Sequence, residues 1–217
     1  MDDSAPRQLR DVTDRDSNPF DMQPACDQFV PGYGDVNAHF HVIGDHPGVH
    51  GGTDSGIPFT DTPGADRLQR ALVAGGLLRA AGTPPAVDRT YLSYRHMCVP
   101  EPEEPPDEAD YDRLEAFFDA ELRAITAHVL LPVGVPTIRH VLRNYTAEPT
   151  PEDPAALHAT EIRGSGFLVV PIADPTDWTD EDERRLVTAL KELQATDYRR
   201  EADLGRFLPG GDPYFVR

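Results

Sequence analysis

Residues 38–52 read Ala38-His39-Phe40-His41-Val42-Ile43-Gly44-Asp45-His46-Pro47-Gly48-Val49-His50-Gly51-Gly52. Residues 53–63 continue Thr53-Asp54-Ser55-Gly56-Ile57-Pro58-Phe59-Thr60-Asp61-Thr62-Pro63. The first six residues, rich in apolar and β-branched side chains, predict a strand that Gly44 ends. Residues 45–63 predict a long loop of Gly, Pro, Thr and Asp. Thr62-Pro63 predicts a helix start, with a hydroxyl to cap the first turn and proline where its missing N–H costs nothing. A strand that empties into a glycine-rich loop and then a helix is the opening of an α/β unit. In parallel sheets of that kind ligands bind beyond the carboxyl ends of the strands.

The same alternation continues outward. Residues 90–97 predict a second strand, and 111–128 an amphipathic helix on which Leu114, Phe117, Phe118, Leu122 and Ile125 recur at helical spacing. Residues 129–133 predict a short apolar strand, broken by Gly134, before a helix from Pro136 to Leu142. Residues 167–170 predict a buried strand, and Thr179 caps a helix whose Leu186, Leu190 and Leu193 share a face. In the first helix, Leu68, Leu72 and the Leu77-Leu78 pair are expected on the buried side. The order predicts an α/β fold, a three-layer αβα sandwich with a four-stranded, mainly parallel central sheet. Residues 1–25 read as a polar N-terminal extension, 26–196 as the single folded domain, and 197–217 as a C-terminal tail.

Composition narrows the function classes. The 217 residues carry 38 acids against 20 bases, a net charge of −18, and Lys191 is the one lysine. A strongly acidic, nearly lysine-free surface is the halophile pattern, in which molar salt screens self-repulsion within a few Å; an ordinary acidic protein is the plainer alternative. Two cysteines, Cys26 and Cys98, make no disulfide framework. The first fifteen residues are polar and charged, which is no signal peptide, and no apolar run reaches membrane-spanning length. A soluble, cytoplasmic monomer without membrane contact is expected.

The loop from Gly44 through Asp45-His46-Pro47-Gly48, His50-Gly51, Pro58-Phe59-Thr60 and Gly64 resembles motif one of the uracil-DNA glycosylases, families 4 and 5 above all. His50-Gly51 is similar to the family 5 string, whereas Gly48 and Pro58-Phe59 are similar to that of family 4. Residues 91–100 resemble the following family strand, with Cys98 in its cysteine's place. Residues 169–176 resemble motif two, with Asp174-Pro175-Thr176 standing for His-Pro-Ser. The resemblance spans roughly residues 26–196. It implies hydrolysis of the N-glycosidic bond of uracil, or another deaminated base, in DNA.

Such an enzyme flips its nucleotide out of the duplex and grips the base in a pocket. The resemblance makes Asp45, His46 and Asp174 catalytic candidates. Asp45 or His46 would direct water and offset positive charge on the sugar. Gly44, Pro47, His50, Phe59, Tyr94, Pro175 and Thr176 become substrate-binding candidates, with Phe59 stacking the base. Two positions depart from the family. Asp174 replaces a donor histidine and could donate only if burial kept it protonated. Tyr94 falls where an asparagine reads uracil, and a single hydroxyl cannot replace an amide. The family 4 and 5 iron–sulfur cluster needs four thiolates, so no cofactor is expected. His39, His41, His46 and His50 could instead supply zinc ligands to a metal-dependent hydrolase, although no metal is expected. A weakened or inactive member that binds DNA or a nucleotide is the main alternative. Phosphate contacts would fall to Arg67, Arg70, Arg139, Arg143 and Arg163 and to backbone amides near Pro136 and Thr176.

Overall fold

The computed structural model describes residues 16–101 and 104–205. In chain order the elements are β1 (Asp16–Ser17), β2 (Tyr33–Gly34), β3 (Phe40–Gly44), α1 (Pro47–His50), α2 (Pro63–Ala74), β4 (Leu78–Ala80), β5 (Ala86–Val87) and β6 (Thr90–Tyr94). They continue with α3 (Glu108–Ile125), β7 (Val129–Pro132), α4 (Val135–Tyr145), β8 (Ile162–Arg163), β9 (Leu168–Val169), α5 (Asp180–Gln194) and α6 (Tyr198–Gly205). One sheet has the order β1-β2-β6-β3-β7-β9-β8, and β4 and β5 form a separate hairpin.

The four central strands β6, β3, β7 and β9 are parallel, in register Val42 with Leu92 and Leu131, and Leu130 with Val169. Every residue of β3, β6 and β7 is buried, the mark of a sheet covered on both faces. Alternation along the strands assigns the two faces. Val42, Leu92 and Leu131 pack with Leu68 and Leu72 of α2 and Leu186 and Leu190 of α5. Ile43, Leu130 and Val169 pack with Phe118 and Leu122 of α3 and Val141 of α4. The result is the expected three-layer αβα sandwich.

Side-chain caps fix the helix starts. The Thr62 hydroxyl accepts from Ala65 N at 3.1 Å. Asp107 with Asp110, and Thr179 with Asp182, form reciprocal capping boxes.

The structure corrects four expectations. The sheet has seven strands rather than four, because short antiparallel strands flank the parallel core. These two-residue pieces are below any periodicity a sequence can display. Leu77 and Leu78 do not continue α2. Gly75 closes that helix and Gly76, at φ +83°, turns the chain so that Leu78 enters β4. Asp16–Ser17, placed in the polar extension, pairs with β2. The start of the expected tail is helical, and α6 buries Tyr198 and Ala202 in the larger core. None of the described helices is long and apolar enough to cross a membrane.

Candidate active site

The carboxyl ends of the four parallel strands supply the site. Backbone pairing runs past β3 and β6: Arg95 N donates to Gly44 O at 3.0 Å and His96 N to Asp45 O at 2.9 Å. Gly134 N donates to Ile172 O at 2.9 Å, joining the exits of β7 and β9. Asp45, Arg95, Gly134 and Asp174 therefore leave one sheet edge together.

Asp45 is 6% exposed and held on several sides. The Tyr111 hydroxyl, from the first turn of α3, donates to Asp45 Oδ1 at 2.8 Å. Arg95 Nη1 lies 3.8 Å from the same oxygen, and its guanidinium sits 4.5 Å above the Tyr111 ring. Burial and the neighbouring Asp45 carboxylate raise the Tyr111 hydroxyl well above its ordinary pKa, so it remains a donor. Sequence reasoning missed both partners. Arg95 directly follows a predicted strand, a usable signal, whereas nothing distinguishes Tyr111 from other residues of an amphipathic helix.

His50 ends the short α1 turn. Its Nδ1 accepts from Asp45 N at 3.0 Å, which puts the imidazole proton on Nε2. Burial, only partly opposed by Asp174 and Asp45, brings its pKa down to about 4, so the ring is neutral at neutral pH. Nε2 is buried and has no hydrogen-bond partner among the described residues. It lies against Gly134, where a Cβ would stand 3.4 Å away.

Phe59 and Tyr94 buttress that ring, with centroids 5.7 and 6.3 Å from it. Phe59 occupies φ +58°, a strained position for a bulky side chain. Two side chains hold it there: Tyr94 Oη accepts from Phe59 N at 2.7 Å, and Gln69 Nε2 donates to Phe59 O at 2.7 Å. Tyr94 Oη also donates to Gly51 O at 2.8 Å. The Tyr94 hydroxyl, expected at the substrate, is thus committed to the loop backbone on both sides. Phe59 is only 1% exposed, so it lies packed beneath the loop rather than as an open platform. Gly44 is required here, since a Cβ would come within 2.6 Å of the Tyr94 ring and 2.8 Å of Phe59 Cζ.

Asp174 is half-buried, not sequestered. Its Oδ1 accepts from Thr176 N at 2.9 Å and Thr176 Oγ1 at 2.7 Å. Both donors fall on one oxygen of a half-buried side chain, whereas donation to a base was expected to require burial. Pro175 and Thr176 pack on Gly64 at the start of α2, where a Cβ would meet Thr176 Cγ2 at 2.9 Å. His46 stands at the N-cap position of α1 beside the buried Pro47 without a side-chain cap bond, and its Nδ1 is buried without a partner among the described residues. Burial lowers its pKa despite Asp45.

The other candidates separate. His39 contacts Tyr198 Oη at 2.8 Å and His41 contacts Ser93 Oγ at 2.8 Å, away from the loop histidines. Among the described residues no group of three His, Cys, Asp or Glu converges to hold a metal. Cys26 and Cys98 are joined in a disulfide, so neither offers a thiolate to a cluster. Arg67 pairs with Glu183 at 3.0 Å and Arg163 with Glu201 at 2.9 Å, whereas Arg70, Arg139 and Arg143 are exposed.

Two comparisons bear on this arrangement. The family model described as the uracil DNA glycosylase superfamily matches residues 31–194. A curated relative, the type-5 uracil-DNA glycosylase of Pyrobaculum aerophilum, is 28% identical over 184 residues, covering 81% of this chain and 76% of the relative.

Proposed function

Because the chain belongs to the uracil DNA glycosylase superfamily, we propose that it hydrolyses the N-glycosidic bond of uracil, or of another deaminated base, in DNA and so opens base-excision repair. The observation that carries this reading is the buried, anchored carboxylate of Asp45 at the sheet edge, beside a neutral His50. Tyr111 and Arg95 occupy Oδ1, which leaves Oδ2 to orient a water and to face positive charge on the sugar. His46, the next residue, is the second candidate to direct that water. The water oxygen bonds to C1′ as the C1′–N bond breaks. The bonding electrons leave with the base, and the water proton passes to Asp45. Phe59 and Tyr94 act first by holding His50 and the loop in place, and a base stacks on Phe59 only where the loop opens.

DNA contacts fall to Arg70, Arg139 and Arg143, since Arg67 and Arg163 are already paired. The monomer works in a salt-rich cytoplasm, where screening makes a −18 chain compatible with a polyanion. A binding-only role is the second reading, favoured by Tyr94, whose hydroxyl is committed to backbone where the family reads the base. Incubation with a uracil-containing oligonucleotide in molar potassium chloride separates the two. Abasic sites support the enzyme, and retention of the DNA with no abasic sites supports the binder.

A further inference from the structure

Two features of the site remain unused by that mechanism. One is the His50 Nε2–H, a buried donor with no partner among the described residues, fixed in its tautomer by the Asp45 amide. A buried donor left unpaired costs about 1–3 kcal/mol, so its persistence at a site points to a ligand that supplies the acceptor. The other is Asp174 Oδ2, which accepts no hydrogen bond among the described residues while Thr176 holds Oδ1. The backbone brings the two groups to one place: His50 Nε2 lies 3.4 Å from where a Gly134 Cβ would stand, and Gly134 N donates at 2.9 Å to Ile172 O, two residues before Asp174. Gly134 flanks the Nε2 edge with no side chain to fill the space.

Resting on the glycosylase reading, we infer that His50 and Asp174 together form the donor–acceptor pair that reads the lactam edge of a flipped, deaminated base. Nε2–H donates to the ring carbonyl and Asp174 Oδ2 accepts the adjoining ring N–H. Uracil, hypoxanthine and xanthine all present a carbonyl beside an N–H. Cytosine and adenine carry an unprotonated ring nitrogen at that place and bring a lone pair against the carboxylate. The pair replaces the amide that Tyr94 cannot supply. It also turns Asp174 from a defect into a specificity element. As the glycosidic bond breaks, negative charge spreads onto the carbonyl held by His50, and the N–H held by Asp174 stays on the base. Thymine shares the lactam edge, so this pair does not exclude it.

The test uses the full chain, in molar potassium chloride, with free uracil and free cytosine as probes. Nitrogen-edited NMR of the histidine rings should show His50 as the Nε2–H tautomer, with its resonance moved by uracil and not by cytosine. Asp174→Ala should weaken uracil binding about tenfold or more, the value of one hydrogen bond to a charged group. His50→Ala should abolish discrimination against cytosine, and His50→Gln, which keeps a donor, should restore part of it. An Nδ1–H tautomer, or a His50 resonance indifferent to uracil, overturns the pair. Uracil-DNA cleavage by Asp174→Ala and His50→Ala at the wild-type rate also overturns the pair, while leaving the glycosylase reading intact. Selective uracil binding with a shifted His50 resonance, but no cleavage of uracil-DNA, upholds the pair and refutes the enzyme.

Discussion

At the scale of single residues the site is built on committed hydrogen bonds. Tyr94 shows this best, because one hydroxyl satisfies both Gly51 O and Phe59 N in a region without water access. Tyr94→Phe leaves two buried backbone groups unpaired and should lower stability by about 1–3 kcal/mol. Urea denaturation measures that loss, and a change under a few tenths of a kcal/mol would show the clamp to be incidental. Activity should fall with it, since Phe59 at φ +58° is kept in place by Tyr94 and Gln69. Tyr111→Phe removes the donor to Asp45 Oδ1 while keeping the ring, and should reduce kcat more than it raises KM.

Among the elements, the exit of β6 carries Arg95 and His96, and the next residues bind it to the N-terminal segment. Val30 N donates to Met97 O at 2.8 Å, and the Cys26–Cys98 disulfide closes the same junction. The disulfide spans 72 residues of chain. In the chain-entropy picture a closed loop of that size stabilises the fold by up to about 4 kcal/mol. Cys26→Ser with Cys98→Ser should therefore lower Tm by several degrees, and a reducing agent should do the same to the wild type but not to the double variant. An unchanged Tm in all three would show that the bridge contributes nothing. This junction was not legible in the sequence, because two cysteines far apart announce no pairing. The parallel core was legible, since Val42-Ile43, Leu130-Leu131 and Val169-Val170 are apolar runs of strand length between helical periods. The edge strands and α6 were not, because two-residue ladders and a polar helix take their order from tertiary neighbours. Asp45, His50 and Phe59 could be picked out by their motif, but their hydrogen-bond directions could not. That is why Tyr94 and Asp174 change roles once the geometry is known.

For the whole molecule, buried neutral histidines set the pH response. Burial lowers the pKa of His39, His50 and His140 to about 4 and of His41 to about 3, against 6.5 in the unfolded chain. Between those values the unfolded state binds more protons, so stability is full above pH 6.5 and falls as the pH drops toward 4. Glu121, buried and raised to about 7, acts in the opposite sense over 4.5 to 7, as one group against four. Thermal melts from pH 7.5 to 4 should show a steady fall in Tm; a flat profile would mean that these rings open to water without cost. Charge at the same scale predicts that Tm rises from low to molar potassium chloride, because screening relieves the repulsion of a −18 chain. A glycosylase site at the carboxyl end of the sheet around Asp45 is checked by abasic-site formation on a uracil-containing single strand in molar potassium chloride. The wild type should release uracil, and Asp45→Asn, which still accepts from Tyr111, should be slower by about a hundredfold or more. Release of no base by the wild type, or equal rates for the two proteins, would show that Asp45 does not serve a glycosylase reaction.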